Sequence, residues 1–260
     1  MISRAALHFW EEPCLSGKEG SGTVFFSGCN LKCVFCQNKE ISRAAVGREV
    51  SVSELSDEYL RLQALGANNI NLVTPSHYYP QIKESLLLVK DRLNIPIISN
   101  TSSYDDVETL RSMEGLIDIY LADLKYMSSD LAERYSKAPD YPEIAKLAIA
   151  EMFRQVGEPV FDERGMMKRG MIVRILLLPG HVKEAKACVK YIYETYKDSV
   201  YLSIMSQYTP FRIPEEYKEI DRKVTKREYA RLVDYATDLG VTAAFIQEGD
   251  VAEESFIPDF

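Results

Sequence analysis

The chain is organised around the stretch Gly28-Cys29-Asn30-Leu31-Lys32-Cys33-Val34-Phe35-Cys36-Gln37-Asn38. Three of the five cysteines, Cys29, Cys33 and Cys36, fall within eight residues here, with the spacing Cys-x3-Cys-x2-Cys. Thiolates at this spacing can converge on one small metal centre without help from distant parts of the chain. Three thiolates leave one iron of a cubane [4Fe-4S] cluster without a protein ligand, and that iron is open to a substrate or cofactor. The spacing therefore predicts a [4Fe-4S] cluster with these cysteines as its ligands.

The cysteines could instead form a zinc site, disulfides or a loop without a ligand. A structural zinc site wants four protein ligands, and the remaining candidates have no zinc-finger spacing: Cys14, Cys188, His8, His77 and His181. Disulfides are disfavoured because an odd number of cysteines is clustered in a chain without a secretion signal. A cysteine loop without a ligand is the third alternative. We interpret Cys14 as a partly buried residue of a lead-in loop, with a thiol at the site mouth as the alternative, and Cys188 as core.

Length and composition bound the class of protein. At 260 residues with 46% hydrophobic content, the chain can bury a large core as one α/β domain. We expect a single domain over 1–260, with an irregular lead-in at 1–22, a projecting hairpin insertion at 159–171 and a tail at 249–260. The net charge of -8 disfavours a broad nucleic-acid-binding face. The cysteine usage, and the lack of a long apolar run near the amino terminus, predict a cytoplasmic protein without a membrane segment.

Strand and helix patterns alternate along the chain. Runs of β-branched, aliphatic and aromatic residues predict strands at 23–27, 69–73, 95–99, 116–124, 171–178, 200–205 and 241–247. Helical spacing and helix-favouring composition predict helices at 51–65, 82–93, 107–113, 141–156, 182–196 and 225–239. Two of the helices begin with capping boxes, Ser51 with Glu54 and Thr225 with Glu228. The alternation implies right-handed βαβ units, so the sequence predicts an α/β fold, a partial (β/α)6 TIM-like barrel.

In such a barrel the carboxyl ends of the strands face one mouth, and several predicted strands end in polar residues. These residues are Thr74 and Ser76, then Asn100, Thr101 and Ser102, then Asp123 and Lys125, and finally Gln207. Asp123 and Lys125 lie two apart on an extended strand, so both side chains can face the interior. An ordinary salt bridge is the alternative interpretation of this pair.

The cysteine motif, with Phe35 just before its third cysteine, resembles the signature of the radical S-adenosylmethionine (SAM) enzymes. Further segments look like those of the pyruvate formate-lyase activating enzyme and its uncharacterised homologues: Glu12-Pro13-Cys14-Leu15-Ser16-Gly17, Phe25-Phe26-Ser27-Gly28-Cys29-Asn30-Leu31, Asn100-Thr101-Ser102, Asp123-Leu124-Lys125, and Arg174 followed by Leu176-Leu177-Leu178-Pro179-Gly180. The resemblance implies the radical SAM barrel and a [4Fe-4S] cluster whose open iron binds SAM.

The resemblance also implies a reaction. A one-electron donor reduces the cluster, SAM is cleaved to methionine and a 5′-deoxyadenosyl radical, and that radical abstracts hydrogen from the substrate. Asp123 and Lys125 are the implied catalytic residues. The implied cofactor-binding residues are Phe35 near the adenine, Thr74, Ser76, Asn100, Thr101, Ser102, Asp123, Lys125, Arg174 and Gln207.

The chain departs from that family at two positions. Val73-Thr74-Pro75-Ser76 stands where the family usually carries Gly-Gly-Glu-Pro, so the glutamate that would hold the SAM amino group is missing. Thr74, Ser76 or His77 is the candidate substitute. Asn100 stands where the activating enzymes often have an acidic residue. The chain also lacks cysteines for an auxiliary cluster, so we expect an external donor of the flavodoxin or ferredoxin type.

The sequence leaves the substrate open. The resemblance favours a glycyl residue of a partner protein, which would make the chain an activating enzyme with a mouth wide enough for a protein loop. The enzyme alternative is another peptide, or a small molecule held under the 159–171 hairpin and the 249–260 tail. The non-enzyme alternative is an iron–sulfur electron-transfer protein, which would need a fourth ligand and no barrel of this size.

Overall fold

The computed structural model of the chain describes residues 1–43 and 46–246. The strands are β1 (Ile2–His8), β2 (Ser21–Phe26), β3 (Ile70–Val73), β4 (Ile97–Thr101), β5 (Ile119–Asp123), β6 (Val160–Phe161), β7 (Met167–Leu176), β8 (Tyr201–Met205) and β9 (Ala244–Ile246). The helices are α1 (Pro13–Ser16), α2 (Lys39–Arg43), α3 (Val52–Ala64), α4 (Tyr79–Val89), α5 (Val107–Arg111), α6 (Ser129–Ser136), α7 (Tyr141–Val156), α8 (Val182–Tyr196) and α9 (Lys226–Leu239). Short 3₁₀ turns occupy Ser76–Tyr78, Lys197–Ser199 and Glu215–Ile220.

The sheet is an open, mainly parallel one. Strands β2, β3, β4, β5, β7, β8 and β9 lie side by side in that order and parallel, while β1 pairs antiparallel with β2 at one edge. Within the described residues, β1 and β9 form opposite edges and do not pair. Six strand–helix units followed by a closing strand make the partial (β/α)6 barrel that the sequence predicts. Parallel strands bring their carboxyl ends to one edge, and the cysteine loop follows β2 at that edge.

Two helices, α3 and α9, begin at the capping boxes that the sequence predicts. The Ser51 side chain accepts a hydrogen bond from the backbone N–H of Glu54, and the Glu54 carboxylate accepts one from the Ser51 N–H at 2.7 Å. Thr225 and Glu228 repeat this arrangement at the start of α9. Each box satisfies two backbone donors that a helix start would otherwise leave unpaired.

Two apolar layers hold the barrel. The outer layer lies between strands and helices, and it includes Leu62, Ile70 and Cys188, which confirms the core interpretation of that cysteine. The inner layer packs Cys14 and Leu15 of α1 against inward-facing residues of β4, β5 and β7. Helix α1 therefore closes the barrel floor, at the end opposite the cysteine loop.

The predicted irregular lead-in at 1–22 is wrong, because these residues form β1 and α1. The strand depends on pairing with β2, from Ile2 opposite Phe26 to His8 opposite Ser21, which no local pattern reveals. Cys14 is a buried helix residue that packs in the barrel floor, not a partly buried loop residue or a thiol at the mouth.

The predicted hairpin at 159–171 exists, with β6 antiparallel to β7, but it does not project from the body. Met166 and Met167 are buried, and Arg164 lies 3.3 Å from Asn68, just before β3. The hairpin therefore sits at the amino ends of the strands. A hairpin there cannot act as a lid over the mouth, and the 249–260 tail lies outside the described residues.

Candidate active site

A cavity of about 280 Å³ opens at the carboxyl edge of the sheet. Twelve of the thirteen site residues predicted from the sequence line it: Cys29, Cys33, Phe35, Cys36, Thr74, Asn100, Thr101, Ser102, Asp123, Lys125, Arg174 and Gln207. Ser76 is the exception: it is not among the lining residues, and its hydroxyl donates to Asp105. The arrangement brings the cysteine motif and the strand-end polar residues into one space.

The cysteine loop is held in place through its backbone. Gly28 has a φ of 89°, a left-handed conformation that glycine adopts freely, and its N–H donates to Ile41 O at 2.8 Å. The N–H of Lys32 donates to Ser136 O at 3.1 Å, and the N–H of Val34 donates to Tyr135 O at 2.8 Å. Helix α6, which the sequence patterns did not predict, thus fixes the loop from its carboxyl end.

The three thiols of the loop are free and partly buried. Ser136 Oγ donates to Cys33 Sγ at 3.0 Å, and Ser42 Oγ lies 3.5 Å from Cys36 Sγ. Burial raises the pKa of Cys33 to about 11 and also raises that of Cys29, so metal binding must displace protons from these thiols.

The thiols suit a cluster with several iron atoms. Among residues 1–43 and 46–246, no group of three or more Cys, His, Asp or Glu side chains converges on a position for a single ion. A cubane carries an iron at each of separate corners, so its thiolate ligands need not converge on one point. The three cysteines line one cavity and offer the sulfur donors that such a cluster takes.

An ion-pair network crosses the cavity below the cysteines, centred on Arg174 of β7. Its Nε donates to Asp123 Oδ1 at 2.8 Å, and its Nη2 donates to Asn100 Oδ1 at 2.6 Å. Lys125 Nζ donates to the other oxygen of Asp123 at 2.6 Å. Burial alone would raise the pKa of Asp123, but the two cations outweigh it and hold that pKa below its usual range. Asp123 is therefore an ionised acceptor between two cations.

Glu11 completes this network, and the sequence patterns did not find it. Its carboxylate accepts from Asn71 Nδ2 at 2.8 Å and lies 3.4 Å from Arg174 Nη1. Its side chain is 9% exposed, and burial raises its pKa even though Arg174 opposes the shift. Asn100 Nδ2 lies 3.5 Å from the same carboxylate. Position 100 carries an amide where the activating enzymes often carry an acid, but Glu11, from the connection between β1 and β2, places a carboxylate next to it.

Asp105 links the loops that follow β3 and β4. It accepts hydrogen bonds from the hydroxyls of Ser76 and Thr101, and burial raises its pKa. A hydroxyl that donates its only proton to Asp105 can act only as an acceptor toward the cavity. Thr74, two residues before Ser76, has a φ of 56°, a left-handed conformation that is uncommon for a residue with a β-carbon, and its N–H donates to Asn100 O at 2.9 Å.

Tyr141 braces the mouth between β4 and β5. Its hydroxyl lies 2.8 Å from Ser102 O and 2.9 Å from Asp123 O, and it accepts from the N–H of Lys125 at 3.0 Å. The aromatic side of the mouth is formed by Phe35, which is buried and meets Tyr208 edge-on at 6.1 Å between ring centroids. These contacts fix the strand ends on which the polar residues stand.

No helix among those described is both long and apolar enough to cross a bilayer. The chain is 28% identical to an uncharacterised protein of Methanocaldococcus jannaschii, MJ0674, over 242 residues. That match covers 88% of this chain and 65% of the relative, so the chain spans slightly less than two thirds of it.

Two solved structures share the fold. One is a radical SAM methyltransferase from Sphaerobacter thermophilus, with a TM-score of 0.57, 14% identity, and coverage of 87% of this chain and 66% of that one. The other is SuiB of Streptococcus suis bound to S-adenosylmethionine, with a TM-score of 0.58, 15% identity, and coverage of 88% and 52%. SuiB has also been solved with its precursor peptide SuiA, where the TM-score is 0.54, the identity 16%, and the coverage 82% and 44%.

A family model settles the relationship. The model described as the Radical SAM superfamily matches residues 23–192, from β2 through most of α8, which is more than half of the chain. Enzymes of this family use a [4Fe-4S] cluster and SAM. The match includes the cysteine loop and all the strand ends from β2 to β7. The chain belongs to the Radical SAM superfamily.

Proposed function

We propose that the chain is a radical SAM enzyme that abstracts hydrogen from a peptide or a loop of a partner protein, with Cys29, Cys33 and Cys36 as its cluster ligands. The observation that carries this proposal is the sharing of one cavity by these thiols and the polar strand ends. When bound, the cluster and SAM supply the one-electron chemistry. The chain itself must then bind SAM, orient the substrate and exclude water.

The loops after β3 and β4 are suited to hold the methionine end of SAM. The Thr101 hydroxyl, which donates to Asp105, offers only acceptor capacity, and that suits an ammonium group. The left-handed Thr74 stands where the related enzymes carry glycine, and it lines the same wall. We propose that Thr74 and Thr101 replace the missing glutamate, with Asp105 orienting Thr101.

The ion-pair network is suited to the carboxylate and ribose of SAM and to the substrate. Lys125 and Arg174 are the cations that face the cavity, and Asp123 holds both in place. Phe35 presents an aromatic wall for the adenine, and Gln207 lines the side formed by the end of β8. Asn100 and Ser102, at the end of β4, are further polar residues that line the cavity.

The dimensions of the site favour a substrate that reaches in from outside. The cavity volume of 280 Å³ is slightly below the range of about 300–1,000 Å³ for small-ligand pockets, and SAM must share it. Among the described strands the sheet is open between β1 and β9, and the half-exposed Trp10 lines the cavity. An extended segment could enter there. SuiB, a neighbour in fold, binds a precursor peptide, and a glycyl-radical protein would present a loop in a similar manner.

Anaerobic turnover tests the proposal. The reconstituted protein, reduced in the presence of SAM, should form 5′-deoxyadenosine slowly alone and faster with its substrate. We expect stimulation by a peptide or protein, and a doublet paramagnetic signal on the partner if that partner is a glycyl-radical enzyme. Stimulation by a low-molecular-weight cell fraction and by no protein fraction would overturn the substrate class. Cys14→Ala is expected to keep its activity, because Cys14 lies in the barrel floor. Absence of deoxyadenosine from both this variant and the wild-type protein would refute the proposed SAM-cleaving activity.

A further inference from the structure

Three cations surround the outer side of the cysteine loop. Helix α2 begins three residues after Cys36, and its Lys39 Nζ lies 3.3 Å from the carbonyl oxygen of Arg212. At the other end of this helix, Arg43 Nη2 donates to Cys33 O at 3.2 Å. We call Lys39, Arg43 and Arg212 the loop cations.

The loop cations have no acidic partner within 1–43 and 46–246, where none of them forms a salt bridge. The acidic Glu40 on the same helix makes no ion pair with them. Lys39 Nζ lies 3.5 Å from the carbonyl oxygen of Phe211 and 3.3 Å from that of Arg212, so its ammonium group is held by neutral carbonyls and its charge is not neutralised. Lys32 lies between the first two cysteines and is exposed, and its carbonyl oxygen lies 3.5 Å from Arg43 Nη2, so it adds a fourth positive charge near the loop cations.

This concentration of positive charge contrasts with the protein as a whole, whose net charge is -8. Like charges that crowd together without partners raise the energy of the free protein, and an acidic partner relieves that cost. The face lies directly outside the cysteine loop, so a protein docked on it is brought close to the metal site. The remaining cysteines, Cys14 and Cys188, are buried in the core, so neither offers a relay.

We propose that the loop cations and Lys32 form the docking surface for the one-electron donor, a carrier protein with an acidic face. The step is a transfer of one electron: the carrier is oxidised by one electron and the cluster is reduced by one, with no bond broken. This inference rests on the proposed placement of the cluster on the three loop cysteines. Attraction between opposite charges would raise the association rate and make it depend on salt.

Stopped-flow reduction of the reconstituted cluster tests the surface, with reduced flavodoxin as the acidic carrier. The variant Lys32→Glu/Arg212→Glu changes two side chains that make no hydrogen bond to the cysteine loop. Its matched control is Lys18→Glu/Lys90→Glu, with the same charge change on exposed residues near the amino ends of the strands. We expect the first variant to be reduced by flavodoxin about tenfold more slowly at low ionic strength, and the control to be unchanged.

Two further measurements separate a docking effect from damage to the metal site. Raising the salt concentration should bring the rates of the variant and the wild type together, because salt screens exposed charges. A small photoreductant, 5-deazariboflavin, should reduce both clusters equally, which separates docking from damage to the site. Equal flavodoxin rates in all three proteins, or equal slowing in variant and control, would overturn the docking surface. A wild-type protein that assembles no reducible cluster would instead overturn the cysteine assignment.

Discussion

Replacing Arg174 with methionine tests whether the buried network is assembled as described. The change keeps much of the side-chain volume but removes the cation that contacts Asp123, Asn100 and Glu11. Removing one partner of a buried ion pair costs about 3–5 kcal/mol, because the other charge stays buried without compensation. Lys125 still neutralises Asp123, so we expect a loss near the lower limit, about 3 kcal/mol of unfolding free energy.

The assay is urea denaturation of the protein, followed by circular dichroism and by the fluorescence of its one tryptophan, Trp10. Arg169→Met is the matched control, since this exposed arginine lies on the same strand and its side chain makes, within the part of the chain that the structure describes, one hydrogen bond, to Gln155 O at 2.9 Å. We expect the control to lose about 1 kcal/mol or less. Adding Glu11→Gln to Arg174→Met should restore about 1–2 kcal/mol, because it removes the stranded carboxylate. Equal losses for the two arginine variants, or a further loss with Glu11→Gln, would refute the network.

Three other perturbations give separable results. With the cluster on the cysteines proposed above, Ser136→Ala removes a hydrogen bond to a ligand sulfur, Cys33 Sγ, and such a bond would stabilise the more negative reduced state. We expect a potential about 40 mV lower in an anaerobic titration, and recovery in Ser136→Thr. Tyr141→Phe removes the single proton that the carbonyls of Ser102 and Asp123 share and the acceptor of the Lys125 N–H, so denaturation should show a loss of about 1–3 kcal/mol, and an unchanged midpoint would contradict the brace. Because burial raises the pKa of Glu11, its stabilising contribution is greatest below the ordinary value of 4.5 and is lost as pH rises through the folded-state pKa. The stability of Glu11→Gln relative to wild type should therefore increase from pH 5 to pH 8, and a constant difference would refute the shift.

Local chemistry explains which features could be predicted. The cysteine spacing, the two capping boxes and the apolar runs of the parallel strands are each encoded within a few residues. The predicted helix at 141–156 has the observed bounds, and predicted strand ends differ from the observed ones by a few residues. Inward-facing residues at the ends of parallel strands meet by the geometry of the fold, so the site residues could be grouped before any contact was known.

The features that sequence patterns missed depend on distant partners. Strand β1 is defined by its pairing with β2, and Glu11 reaches Arg174 across 163 positions of the chain. Helix α6 is only eight residues long, and its role in holding the cysteine loop through Tyr135 and Ser136 has no local signature. In the connection between β1 and β2, the one local feature that sets Glu11 apart is the pair of adjacent acidic residues, Glu11 and Glu12, before Pro13.

The iron content of the anaerobically reconstituted protein, read together with the paramagnetic response to SAM, tests the central claim most directly. We predict about four irons per chain, and a reduced-cluster signal that changes when SAM is added. Cys29→Ala, Cys33→Ala and Cys36→Ala should each lose the intact cluster, whereas Cys14→Ala should retain it. A normal cluster in Cys29→Ala together with its loss in Cys14→Ala, or a wild-type signal that does not respond to SAM, would contradict the account.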